Sequence, residues 1–137
     1  MHPVQWYAAP ALMKLWMDDV LAFGWAYGPG GRALLGKCLW LVLSTGGAEA
    51  SYARAGEVQP AYERFLPAYR QTAAMLGMRF LDPLVFHGAH RAEAHAVHAH
   101  AHAFAQRLVA LAGEPRADAA PPQAAVAADE RRPPTDD

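Results

Sequence analysis

The sequence predicts an α/β fold built on a parallel sheet, and three observations carry that reading. Candidate elements alternate as helix, strand, helix, strand, helix, the order that crossover-connected parallel strands produce. Of the two strand candidates, CLWLVLS is a short and nearly unbroken apolar run, as expected of a strand covered on both faces, and MRFLDPLVF follows as the second. Glycines stand at the ends of the apolar segments, where a chain has to turn.

The first helix is predicted over 10–24. Leu12, Leu15, Trp16, Val20 and Phe23 recur near helical spacing, Lys14, Asp18 and Asp19 interrupt them, Pro10 suits a helix start and Gly24 a helix end. Gly28-Pro29-Gly30-Gly31 then dictates a loop, and Gly36 leads into a buried strand over 37–44. Thr45-Gly46-Gly47 turns the chain out of that strand into AEASYARAGEV, a polar stretch expected to be irregular. Tyr62, Phe65, Leu66, Tyr69, Ala73 and Leu76 mark the face of a second helix over 60–76. Pro67 should kink it or confine its regular part to the downstream side. The strand over 78–86 holds Pro83, which cannot donate to a ladder, so it belongs at the sheet edge. An Ala- and His-rich helix over 89–112 closes the domain, with Phe104, Leu108, Val109 and Leu111 as its apolar residues.

Residues 1–112 are therefore the structured part, within the ordinary size range of one domain. Residues 113–137 hold no aromatic side chain and Val126 as the only large aliphatic one. Such a tail buries too little to offset its ordering entropy and is expected to be disordered. Lys and Arg number 12 against 13 Asp and Glu, a balance that argues against a nucleic-acid partner. Cys38 is the single cysteine, so no intrachain disulfide is possible; it reads as a buried thiol in a reducing cytoplasm. MHPVQWY lacks the basic start and apolar run of a secretory signal. The apolar run at 38–43 falls far short of the roughly 20 residues that cross a bilayer. A soluble chain is expected.

Three segments, HPVQWYAAPALMKLWMDDVLAFGWAYGPGG, LLGKCLWLVLSTGG with Tyr52 beyond it, and LPAYRQTAAMLGMRFLDPLVFHG, follow one another in order. Together they resemble the NAD(P)H:quinone oxidoreductase family of flavodoxin-like proteins, in particular the branch that includes ancillary subunits of glutathione-gated potassium efflux systems. The resemblance implies a flavodoxin-like three-layer sandwich whose strand order is 2-1-3-4-5, with flavin across the carboxyl ends of the strands. On it, residues 1–5 end the third strand, 37–44 form the fourth and 78–86 the fifth. The fold is then truncated at the N-terminus, without the first two strands and the phosphate-binding loop. One strand edge and part of the last helix's apolar face would meet water.

The resemblance also implies the site. Gln5, Trp6 and Tyr7 would form one wall of an isoalloxazine slot; by residue type alone, Trp6 and Tyr7 equally suit a lid on the core. Thr45, Gly46 and Gly47 would form the second wall, where backbone N–H groups approach the ligand closely; alone, they are a tight turn. Trp25 and Tyr27 would line the pocket in which nicotinamide and quinone alternate, or else anchor their loop. Tyr52 is the candidate catalytic residue. Some relatives pair such a tyrosine with a histidine, and the residues that follow it, ARAGEVQ, contain none.

The implied activity is hydride transfer from NAD(P)H through FMN or FAD to a quinone, by a homodimer. The alternatives are a regulatory subunit docked on the cytoplasmic domain of a potassium efflux transporter, at the inner face of the membrane and without catalysis of its own, or an inactive fragment. Separately, His87, His90, His95, His98, His100 and His102 crowd into 16 positions. His95, His98 and His102 would share one helix face, which suits either a metal-binding stripe or an exposed polar surface. The reading assigns no native metal site.

Overall fold

A computed structural model describes residues 1–52 and 61–114. Three strands, β1 (His2–Pro3), β2 (Cys38–Ser44) and β3 (Arg79–Phe86), form a sheet of order β1-β2-β3 in which both pairings are parallel. This is the order expected of the third, fourth and fifth strands. The helices are α1 (Ala11–Val20), α2 (Pro67–Met75) and α3 (Ala94–Gly113), with 3-10 turns at Glu49–Ser51, Ala61–Phe65 and Ala89–Arg91.

Alternate side chains of β2 point to opposite faces, and both faces are covered. Leu41 and Leu43 join Leu66 and Tyr69 in the buried core, with Met17 of α1 packed against them. On the other face Trp40 stacks on Phe104 of α3, ring centroids 5.3 Å apart. The sheet therefore lies between α1 and α2 on one side and α3 on the other. His2 is buried in β1; its Nδ1 donates to the Pro3 carbonyl (2.8 Å), leaving Nε2 to accept from the Tyr69 hydroxyl (3.1 Å).

Both prolines act as expected. Pro67 is the first residue of α2, so the upstream segment is a 3-10 turn. Pro83 lies in the edge strand at a shift in register, where Trp40 pairs with Leu81 but Val42 pairs with Leu84. The extra residue of that bulge lets a residue without an N–H remain in the strand.

Other expectations need correction. The last helix starts at Ala94, because the chain is extended at Ala92 and Glu93 after the Ala89–Arg91 turn. It runs through Gly113, one residue into the segment expected to be disordered; the rest of that tail from 115 onward lies outside the described residues. The stretch after Gly47 contains the Glu49–Ser51 turn, and 53–60 lie outside the described residues. Cys38 is exposed and accepts a hydrogen bond from Arg79 Nη2 at 3.3 Å. It begins β2, whose buried residues are Leu41, Val42 and Leu43 farther along the strand. Leu12, Leu15, Trp16 and Phe23, the predicted apolar face of the first helix, are exposed, as are Leu108 and Val109 of α3. No described element covers the open side of β1, and these side chains meet water with it. Among the described residues, no helix is long and apolar enough to cross a membrane.

Candidate functional site

The site is built at the carboxyl ends of β1 and β2. Val4 N–H donates to the Ser44 carbonyl (2.7 Å), so the two strands end side by side and their exit turns are neighbours.

The turn after β1 is left-handed at both central residues. Gln5 and Ala8 exchange backbone hydrogen bonds of 3.0 and 2.9 Å, while Trp6 and Tyr7 between them have φ of 47° and 64°. Two positive φ values define a mirror-image turn that usually takes Asn or Gly. Bulky residues there cost about 1–2 kcal/mol each, and such strain concentrates at ligand-binding positions. The result of the turn is that Trp6 projects outward, 94% exposed. Trp6 is thus no lid on the core.

The turn after β2 is held from several sides. Thr45 is 2% exposed. Its N–H donates to the Phe86 carbonyl, and the N–H groups of Gly88 and Ala89 donate to the carbonyls of Gly47 and Thr45, each at 2.9 Å. The Thr45 hydroxyl donates to the Gly47 carbonyl (2.9 Å) and meets His87 Nδ1 at 3.0 Å. Gly47 N–H donates to the Tyr52 hydroxyl (3.2 Å). A Cβ on Gly47 would stand 3.1 Å from that oxygen, closer than most such contacts, so glycine lets Tyr52 pack down.

Aromatic rings join the two turns. Phe65 packs on Tyr7 (5.2 Å between centroids) and edge-on to Tyr52 (5.9 Å). His87 lies 5.9 Å from Tyr52 and 6.3 Å from Tyr62. Burial pushes the His87 imidazole below its usual pKa, and the Glu49 carboxylate partly opposes this. Burial also raises the Tyr62 phenol, with the nearby carboxylates of Glu63, Asp82 and Glu49 adding to the rise.

Phe65 and His87 carry this arrangement, and the sequence reading assigned neither to it. Phe65 looked like one more apolar helix position. By spacing His87 falls with the histidines of the last helix, although it directly follows a strand, as Thr45 does. Trp25 and Tyr27 stand apart: Tyr27 meets Phe23 edge-on at 5.6 Å, and no hydrogen bond or ring contact among the described residues ties either to the two turns. His95, His98 and His102 are exposed on α3, and no three metal-ligating side chains are grouped among the described residues.

The donor set fits a flat heteroaromatic ligand. Among the described residues the backbone N–H groups of Trp6, Tyr7 and Gly46 have no partner. Unpaired donors beside exposed aromatic rings suit a ring system with an apolar face and polar edge atoms.

A family model described as "Flavodoxin-like fold" matches residues 1–108. The ancillary protein KefF of the glutathione-regulated potassium-efflux system of Salmonella typhimurium is 40% identical over 109 residues, which are 80% of this chain and 61% of that protein. The chain thus spans about three fifths of the length of the curated relatives it matches. Among solved structures, general stress protein 14 of Treponema denticola, in complex with FMN, is 33% identical with a TM-score of 0.69, covering 80% of this chain and 63% of that one. An NADPH-quinone reductase from P. pentosaceus is 30% identical with a TM-score of 0.65, covering 77% and 62% respectively.

Proposed function

Because the chain belongs to the flavodoxin-like fold family, we propose that it is the ring- and substrate-contacting part of a flavin-dependent NAD(P)H:quinone oxidoreductase. One observation carries the reading: the exit turns of β1 and β2 adjoin, joined through Phe65, and offer unpaired N–H groups beside the Trp6 and Tyr7 rings. FMN is the flavin favoured, since a structural neighbour is an FMN complex. A bound flavin would supply the two-electron chemistry between NAD(P)H and the quinone.

The chain's own residues bind and orient. Gln5, Trp6 and Tyr7 provide one wall, and Thr45, Gly46 and Gly47 provide the other. With a flavin bound, the free N–H groups of these turns would face the polar edge of the ring and offset negative charge there. Tyr52 packs against the site and holds Gly47. Trp25 and Tyr27 are assigned to the substrate side, where planar apolar molecules would stack. A homodimer in the cytoplasm is the proposed state of the whole protein.

The test is to titrate the full chain with FMN and to measure menadione reduction by NADPH. Saturable FMN binding with turnover supports the enzyme; no binding and no turnover refutes it. A second reading, prompted by the 40% identity to KefF proteins, is a regulatory subunit on a potassium efflux transporter. Co-purification with the cytoplasmic domain of such a transporter, compared against an unrelated flavodoxin, distinguishes it; equal recovery of both counts against docking.

A further inference from the structure

Hydrogen-bond bookkeeping at Thr45 fixes a proton on His87. A threonine hydroxyl has one proton to give and two lone pairs. Thr45 spends that proton on the Gly47 carbonyl, 2.9 Å away. Its 3.0 Å contact with His87 Nδ1 must therefore run the other way, with Nδ1–H donating to Oγ1. An imidazole that carries its proton on Nδ1 has a bare lone pair on Nε2 when neutral. Among the described residues Nε2 has no hydrogen-bond partner.

The surroundings put the imidazole ring beside the turn after β2. The ring lies over Tyr52 and beside Tyr62, directly against the diglycine turn. The groups facing it are Thr45 from the turn after β2, Tyr52 and the Glu49 carboxylate from the segment that follows, and Tyr62 from the Ala61–Phe65 turn. His90, three residues on, lies against Gly46.

We propose that His87 holds and passes the proton of the reaction through Nε2, with Thr45 and Gly47 fixing the tautomer that leaves this atom available. The role rests on the quinone-reductase reading above. A quinone becomes a hydroquinone by gaining a hydride and a proton. The hydride carries both electrons, which come from NAD(P)H, and forms one O–H bond. The proton leaves Nε2 of the imidazolium and forms the second, and the neutral ring takes a new proton from water. Burial favours the neutral ring, so the protonated form gives up its proton readily.

Two measurements test this. Side-chain ¹⁵N correlation spectra of the full chain, with His87 assigned by its loss in H87N, should show the Nδ1–H tautomer above the imidazole pKa. Thr45→Val, which removes the acceptor, should shift the population toward Nε2–H. In the FMN-loaded chain, H87N keeps a donor close to the Nδ1 position but has no counterpart of Nε2. It should bind FMN like the wild type and reduce menadione about 100-fold more slowly, the lower end of general acid–base contributions. A wild-type Nε2–H tautomer, or H87N turning over at the wild-type rate, overturns the role of His87 and leaves the flavin reading intact. A wild-type chain that takes up no FMN brings down the flavin reading, and this role with it.

Discussion

Substituting Trp6 with glycine should make the protein more stable and its flavin binding weaker. Trp6 sits at φ 47°, a backbone region that costs a non-glycine residue about 1–2 kcal/mol. Glycine removes that cost but returns about 0.4–1 kcal/mol through its more flexible unfolded chain. With Trp6 94% exposed, loss of its side chain subtracts almost no buried area. The net expectation is a gain of about 0.5–1 kcal/mol, read as a higher urea midpoint at unchanged slope. Binding should move the opposite way. Losing a stacked aromatic wall costs roughly 1–1.5 kcal/mol, or about tenfold in FMN dissociation constant. Destabilisation by more than about 0.5 kcal/mol would show that Trp6 packs on the protein. Unchanged FMN affinity would show that it is no wall of the site.

Four further outcomes follow from the same geometry. Thr45→Val leaves His87 Nδ1 without its partner, while the Gly47 carbonyl keeps the Gly88 N–H, and should cost about 1–2 kcal/mol in urea unfolding, given the penalty for an orphaned polar group. Leu66→Ala empties a fully buried position and should cost about 2–5 kcal/mol. Leu12→Ala, at an exposed position, should stay within about 0.5 kcal/mol. Because burial lowers the His87 pKa below the usual 6.5, the unfolded chain takes up its proton first as pH falls. The stability due to neutral His87 is thus present above about 6.5 and lost below it. Unfolding curves at pH 7 and pH 5 should differ more for the wild type than for H87N.

The sheet was legible because its strands are apolar and sharply punctuated. Residues 38–44 and 79–86 lie within a residue of the expected bounds, and the two prolines act as their chemistry requires. The start of α3 was not legible: an Ala- and His-rich run has no apolar period to mark where a 3-10 turn gives way to a helix. The exposure of Leu12, Leu15 and Trp16 could not be read either, since helical spacing shows which face is apolar but not whether another layer covers it. At the candidate site, adjacency of the Gln5–Ala8 turn and the Thr45–Gly47 turn follows from strand order. What tied them together was hidden. Phe65 leaves the helical face because Pro67 begins the regular helix after it. His87 meets Thr45 only because β3 runs parallel to β2 and ends level with it, Ser44 pairing with Phe86. A partner 42 residues away leaves no mark in local spacing.

Riboflavin, which has the tricyclic ring but no phosphate, probes these two turns without relying on a phosphate-binding loop. Amide chemical shifts of the ¹⁵N-labelled chain should move saturably at Gln5, Trp6, Tyr7, Thr45, Gly46, Gly47 and Tyr52 as riboflavin is added. Shifts that stay fixed at those residues, or that change only along α3, would contradict a ring-binding crevice at the ends of β1 and β2.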